Sequence, residues 1–183
     1  MKLNKTATWY LIILIVTAAL YRVTPLREYG FAPQIAMALF GGAVIKDRKW
    51  AFALPLFSMF VSDALYEVLF QNGMSPIKGF YSGQWINYLV FATVVVIGFF
   101  MKRITITNVL IYSIIAPTWF FLLSNFTVWA GAKTIPQTWS GLMETYALGV
   151  PFYRQSVVAT LIFSTVFFGA WYVLNRKKSV AVA

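Results

Sequence analysis

The chain contains no cysteine and no histidine, and only five of its 183 residues are acidic. Without thiols there is no cysteine nucleophile and no disulfide framework. Without thiols and imidazoles together, the usual zinc sites and haem held by His or Cys are excluded. No phosphate-binding glycine motif is present, and no metal or other cofactor is expected. What the chain has in abundance is apolar surface: 60% of residues are hydrophobic, 11% are charged and the mean hydropathy is +0.73. A soluble domain carries roughly a quarter of its residues as charges, so this composition describes an integral membrane protein.

A helix needs about 20 residues to cross a hydrocarbon core of ~30 Å. Six apolar runs approach that length: 5–21, 31–45, 50–70, 85–101, 104–130 and 155–174. The second is short, rising only about 22 Å if fully helical, which calls for a thinned bilayer or irregular backbone around Pro33. Its small residues, Ala32/Ala36 and Ala38/Gly42, fall at four-residue spacing and permit close helix packing. Pro55 and Pro117, inside the third and fifth runs, free the carbonyls of Ala51 and Ser113. The expected fold is an all-α bundle of six spans forming a single membrane domain.

The basic residues assign sides to the loops. Lys2, Lys5, Lys46, Arg48, Lys49, Lys102, Arg103, Arg176, Lys177 and Lys178 fall on one side, against Arg22, Arg27, Lys78, Lys133 and Arg154 on the other. The positive-inside bias therefore puts both termini in the cytoplasm, with the plasma (inner) membrane as the location. The net charge of +10 follows from this topogenic pattern and from attraction to anionic lipid; nucleic acid is not an expected partner. The first run also has the form of a signal peptide, with Thr17-Ala18-Ala19 as small residues. Its removal would leave five spans and set the remaining basic loops against the bias.

Connections on the inner side are tight, whereas the outer ones are longer. Residues 71–84 carry Gly73, Pro76, Gly79 and Gly83, the composition of an irregular loop. Residues 131–154 place Trp139, Leu142, Met143, Tyr146 and Ala147 at helical spacing, predicting a short amphipathic helix at the interface or over a cavity.

Charges at membrane depth cost at least ~2.5 kcal/mol each on insertion scales and require a reason. Asp63 lies about 20 Å along the third span, and Glu67 one turn further on the same face. Both fall in the outer half. Arg22, Gln34, Asn87, Ser124, Asn125, Trp129 and Arg154 fall near the same level, while the inner halves hold little beyond hydroxyls. This pattern disfavours an open channel and suits an outward-facing pocket for a small polar-aromatic ligand. Structural readings stand beside it: an Arg22 ion pair that only fixes helix packing, snorkelling for Arg27 and Arg154, and a membrane-belt role for Trp129.

Several segments together carry a family resemblance: Arg22-x-x-Pro25, Gly30-Phe-Ala-Pro-Gln-Ile-Ala-Met-Ala-Leu-Phe-Gly-Gly-Ala43, Pro55-Leu-Phe with Ser62-Asp63, Ser124-Asn-Phe-Thr-Val-Trp129 and Pro151-Phe-Tyr-Arg154. Over nearly its whole length the chain resembles a family of uncharacterised bacterial six-span membrane proteins. In size, span number, orientation and the third span ending in Ser-Asp, it is also similar to the substrate-binding S components of energy-coupling factor vitamin transporters. That similarity implies a subunit that captures a vitamin or related micronutrient outside the cell and works with a transmembrane coupling subunit and two ATPases. The Ala-x-x-x-Ala contact motif of S components is missing from the first span, and the nearest equivalent is Ala32/Ala36 on the second.

The expected function is ligand binding for an importer, without enzymatic activity. Asp63, Glu67, Arg22 and Arg154 would supply ionic contacts, Asn125 an amide contact and Trp129 a stacking surface. The alternatives are a structural or assembly subunit of a larger membrane complex and an intramembrane enzyme using Asp63 and Glu67 as a carboxylate pair.

Overall fold

The computed structural model describes residue 13, residues 16–24 and residues 28–180, with side chains as far as residue 173. Lys2, Lys5, Pro25, Arg27, most of the first expected span and the side chains of Arg176, Lys177 and Lys178 lie outside the described residues. Among the described residues all regular structure is helical: α1 over residues 16–22, α2 Gln34–Val44, α3 Arg48–Gln71, α4 Gln84–Phe99, α5 Ile106–Gly131 and α6 Trp139–Val180.

Three helices are long and apolar enough to cross a membrane: α3, α5 and the Trp139–Val173 part of α6. Their packing reads inside-out relative to a soluble protein. On α5 the buried residues are Val109, Ser113, Ala116 and Pro117, whereas Ile111, Ile114, Ile115, Leu122 and Phe126 are exposed. Small and hydroxylated side chains let helices approach closely, and the large apolar ones face outward where lipid would solvate them. Ser58, Ser62, Ser113, Thr160 and Ser164 are likewise fully buried.

Local chemistry fixes where the helices begin. Asp47 caps α3 by accepting from the Lys49 amide at 2.9 Å, and Thr105 caps α5 by accepting from the Asn108 amide at 3.2 Å, each satisfying a first-turn donor without an intrahelical acceptor. Gly83, at φ +82, leads into α4 from a left-handed conformation that glycine adopts without strain.

The short second helix is central. α2 packs on α3, α4, α5 and α6, and nine of its eleven residues, from Gln34 to Gly42, are buried. The mismatch expected from its length does not fall on lipid, because protein surrounds it. Residues 28–33 continue it outward as irregular backbone, with Gly30 at φ +86, where a side chain would meet the Phe152 carbonyl of α6 at 2.5 Å. The Ala38/Gly42 stripe finds its partner inside the chain: a Cβ on Gly42 would meet the Val95 carbonyl and lie 2.9 Å from the Gly98 Cα. Around α2, α3 packs on α4, α4 on α5 and α5 on α6. α1 closes the ring, with Tyr21 edge-on to Phe163 of α6 at 5.4 Å and Arg22 bonded to α3.

The separate amphipathic helix expected within 131–154 is instead the first part of the 42-residue α6, which runs unbroken through Pro151. Contacts with α5 on both sides of the proline explain the continuity. Before it, Tyr146 donates to the Leu122 carbonyl at 3.0 Å; after it, the Tyr153 ring lies 4.8 Å from Phe121 and its hydroxyl 2.9 Å from that of Thr118.

Candidate functional site

Gly42 lies level with Val95 and Gly98, so Gln34, about 12 Å further out along α2, is level with the stretch near Tyr88 of α4. Gln34 is 6% exposed and donates to the Ala18 carbonyl of α1 at 3.3 Å. Its Oε1 is buried without a partner among the described residues. One turn beyond Ala18, α1 presents Arg22, and there polar groups of α1, α3 and α4 meet around the N-terminal end of α2.

Asp63 is the centre of that cluster and is 3% exposed. Its Oδ1 accepts from Arg22. Its Oδ2 accepts from Gln84 Nε2 at 2.7 Å and from the Tyr88 hydroxyl at 2.6 Å. The same Arg22 nitrogen reaches Ser62 Oγ at 2.5 Å and the Met59 carbonyl at 3.4 Å. Tyr66 donates to the Arg22 carbonyl at 2.6 Å, and the guanidinium carbon lies 5.6 Å from its ring centroid. A buried carboxylate requires this density of partners, since desolvation without them would cost several kcal/mol.

Glu67 belongs to a different assembly. Although one turn from Asp63, its Oε2 accepts the backbone amides of Gly79 at 3.1 Å and Phe80 at 3.2 Å, and Oε1 accepts from Gln71 at 3.0 Å. It pins the loop between α3 and α4 against α3. The loop comes so close that a Cβ on Gly79 would collide with the Asp63 carbonyl and lie 2.7 Å from the Glu67 Cβ.

The remaining expected residues lie on the α5–α6 side. Asn125 donates to the Phe121 carbonyl of its own helix at 2.8 Å, and a Cβ on Gly149 of α6 would lie 2.6 Å from its Oδ1. Trp129 donates to the Pro136 carbonyl at 3.0 Å and so braces the α5–α6 connection. Arg154 is exposed and has no ion pair among the described residues. The structure thus joins Arg22 to Asp63 directly, places Glu67, Asn125 and Trp129 in separate local contacts, and leaves Arg154 exposed. α3 packs on α2 and α4, which sets the Asp63 cluster apart from Asn125 and Trp129.

Two partners of Asp63 were not singled out from sequence, Gln84 and Tyr88. The signal available was their spacing: at i and i+4 on one apolar helix they share a face, level with Asp63 if α3 and α4 run antiparallel.

The fold is that of an all-helical membrane protein with a buried, hydrogen-bonded carboxylate near one end of the bundle. Residues 2–182 match the Family of unknown function (DUF6580), and the chain belongs to that family. No curated protein and no solved structure matches it.

Proposed function

We propose that this protein is the membrane-embedded binding subunit of an importer, with six spans, both termini cytoplasmic, in the bacterial inner membrane. Its ligand is a small polar-aromatic molecule of the vitamin or micronutrient class. The observation that carries the reading is the polar end of the bundle: central α2 begins at Gln34, and polar side chains of α1, α3 and α4 gather around that end. Arg22, with 24% of its side chain exposed, is a partly accessible cation of that cluster, and Asp63 behind it sets its orientation. Arg154, Asn125, Trp129 and Glu67 are the further ligand contacts on this reading, each standing apart from the Asp63 cluster. The similarity to S components adds a transmembrane coupling subunit and ATPases as partners.

A second reading, a structural or assembly subunit, is favoured by one observation: both carboxylate oxygens of Asp63 already have protein partners. Mass spectrometry of small molecules that co-purify with the protein tests the two. On the importer reading, one compound co-purifies, raises the melting temperature when added back, and loses that effect in Arg22→Gln with the variant still folded. If Arg22→Gln leaves the response to that compound unchanged, or if no compound co-purifies, the structural reading holds. Purification in mild detergent then asks whether ATPase subunits accompany the chain.

A further inference from the structure

The end of the bundle opposite the Asp63 cluster carries five cations drawn together from two distant connections. Lys46, Arg48 and Lys49 lie at the α2–α3 junction, and Lys102 and Arg103 lie between α4 and α5; all five are exposed. Packing brings the two sets to one place. The Arg48 guanidinium carbon sits 3.8 Å from the centroid of the Phe99 ring, and Phe52 meets the same ring edge-on at 5.6 Å. Lys102, three residues beyond Phe99, has its Cα within about 11 Å of that anchor.

The charges are only partly compensated. None of the five forms an ion pair among the described residues, and the one acid beside them, Asp47, is turned to the Lys49 amide as a helix cap. Arg48 and Lys49 occupy the first turn of α3, which holds no acidic residue, so two cations sit at the positive end of a 24-residue helix dipole. Asp47 supplies one negative charge at this end of the helix, which leaves the cation cluster in excess and able to accept a further anion.

Beside the cations stand two exposed aromatic rings, Trp50 at 50% and Phe100 at 65% relative exposure. Tryptophan rings such as Trp50 sit at the headgroup level of a bilayer. Stacking on Phe99 also holds the flat Arg48 guanidinium by one face, leaving its N–H edge free for paired hydrogen bonds to phosphate oxygens.

We infer that Arg48, Lys49, Lys102 and Arg103, flanked by Trp50 and Phe100, form a binding site for the phosphate of an anionic phospholipid, with the acyl chains lying along the exposed apolar flank of the bundle. The charge bias assigns this end to the cytoplasmic leaflet. The inference is independent of the ligand proposed for the other end.

The test uses the full-length protein in detergent, titrated separately with phosphatidylglycerol, phosphatidylcholine and inorganic phosphate, and read by native mass spectrometry and thermal unfolding. Phosphatidylglycerol is expected to give a retained one-to-one adduct and a higher melting temperature, with phosphatidylcholine and inorganic phosphate giving neither. The double substitution K102Q/R103Q, confined to a loop, is expected to weaken the adduct tenfold or more. Arg48→Lys keeps the charge but loses the planar fork and should weaken it as well, while Lys133→Gln at the opposite end should not. Equal retention of phosphatidylcholine, or an unchanged phosphatidylglycerol adduct in folded K102Q/R103Q, overturns the site. Stabilisation by inorganic phosphate with no further gain from phosphatidylglycerol overturns the lipid as its source.

Discussion

Gln84 donates from one amide nitrogen to both Asp63 Oδ2, at 2.7 Å, and the Gly79 carbonyl, at 2.9 Å. A single side chain at the start of α4 therefore ties the buried carboxylate of α3 to the loop that joins the two helices. With Arg22 on the other oxygen, Asp63 links three helices at one level.

Removing Asp63 should cost more than removing its charge alone. Asp63→Ala leaves Tyr88 without its acceptor and Arg22 with only Ser62 and the Met59 carbonyl, and is expected to destabilise by about 3 kcal/mol, the lower part of the range for breaking a buried pair, because Arg22 retains some solvent. Asp63→Asn should cost less, since the amide oxygen still accepts. A double-mutant cycle with Arg22→Gln, read by denaturant-induced unfolding in detergent, is expected to show coupling above 1 kcal/mol by the usual behaviour of contacting charged groups. Strictly additive losses would mean that the pair does not hold the helices.

Tyr88→Phe removes a 2.6 Å bond to a charged acceptor and should cost about 1.5–3 kcal/mol, against about 1 kcal/mol for Tyr66→Phe, whose hydroxyl meets a neutral carbonyl. Equal losses in thermal unfolding would show that Asp63 does not depend on Tyr88.

The α2–α4 contact leaves no room for a methyl group. Gly42→Ala drives a Cβ into the Val95 carbonyl and should destabilise by about 1–3 kcal/mol, since backbone cannot yield as a side chain can. Gly131→Ala, where nothing lies within 4 Å of a Cβ, should leave the melting temperature nearly unchanged.

Glu67→Gln should loosen the loop without unfolding the bundle. The Gly79 and Phe80 amides lose a charged acceptor, so hydrogen exchange at those two positions should rise severalfold while the α3 core stays protected. Unchanged exchange would mean the loop is held by other contacts.

The absence of cysteine makes the proposed sidedness directly testable. A single cysteine at Ser75 should react with an impermeant maleimide in intact cells, and one at Lys102 only after the membrane is permeabilised. Labelling of both from the same side would overturn the six-span orientation.

Much of the bundle is legible in one dimension. The runs 50–70, 85–101 and 104–130 agree with α3, α4 and α5 to within two or three residues, because lipid-length apolar stretches between polar connections leave the backbone little alternative to a helix. The run 31–45 marks α2 correctly but not its central position, since a fully apolar helix has no face that points to one neighbour. The part of 131–154 from Trp139 onward is helical, yet nothing local states that the helix continues through Pro151. The contacts with α5 decide that.

The candidate site divides in the same way. Sequence by itself determined that Asp63 and Glu67 sit at the same end of one helix and need partners, because burying a carboxylate without them is too costly at membrane depth. Only the tertiary structure decided which partners. Asp63 turned to Arg22, Gln84 and Tyr88 on neighbouring helices, and Glu67 to the amides of a folded-back loop. A helix repeat fixes the angle between two side chains on one helix; which neighbours those side chains meet depends on how the other helices pack around it.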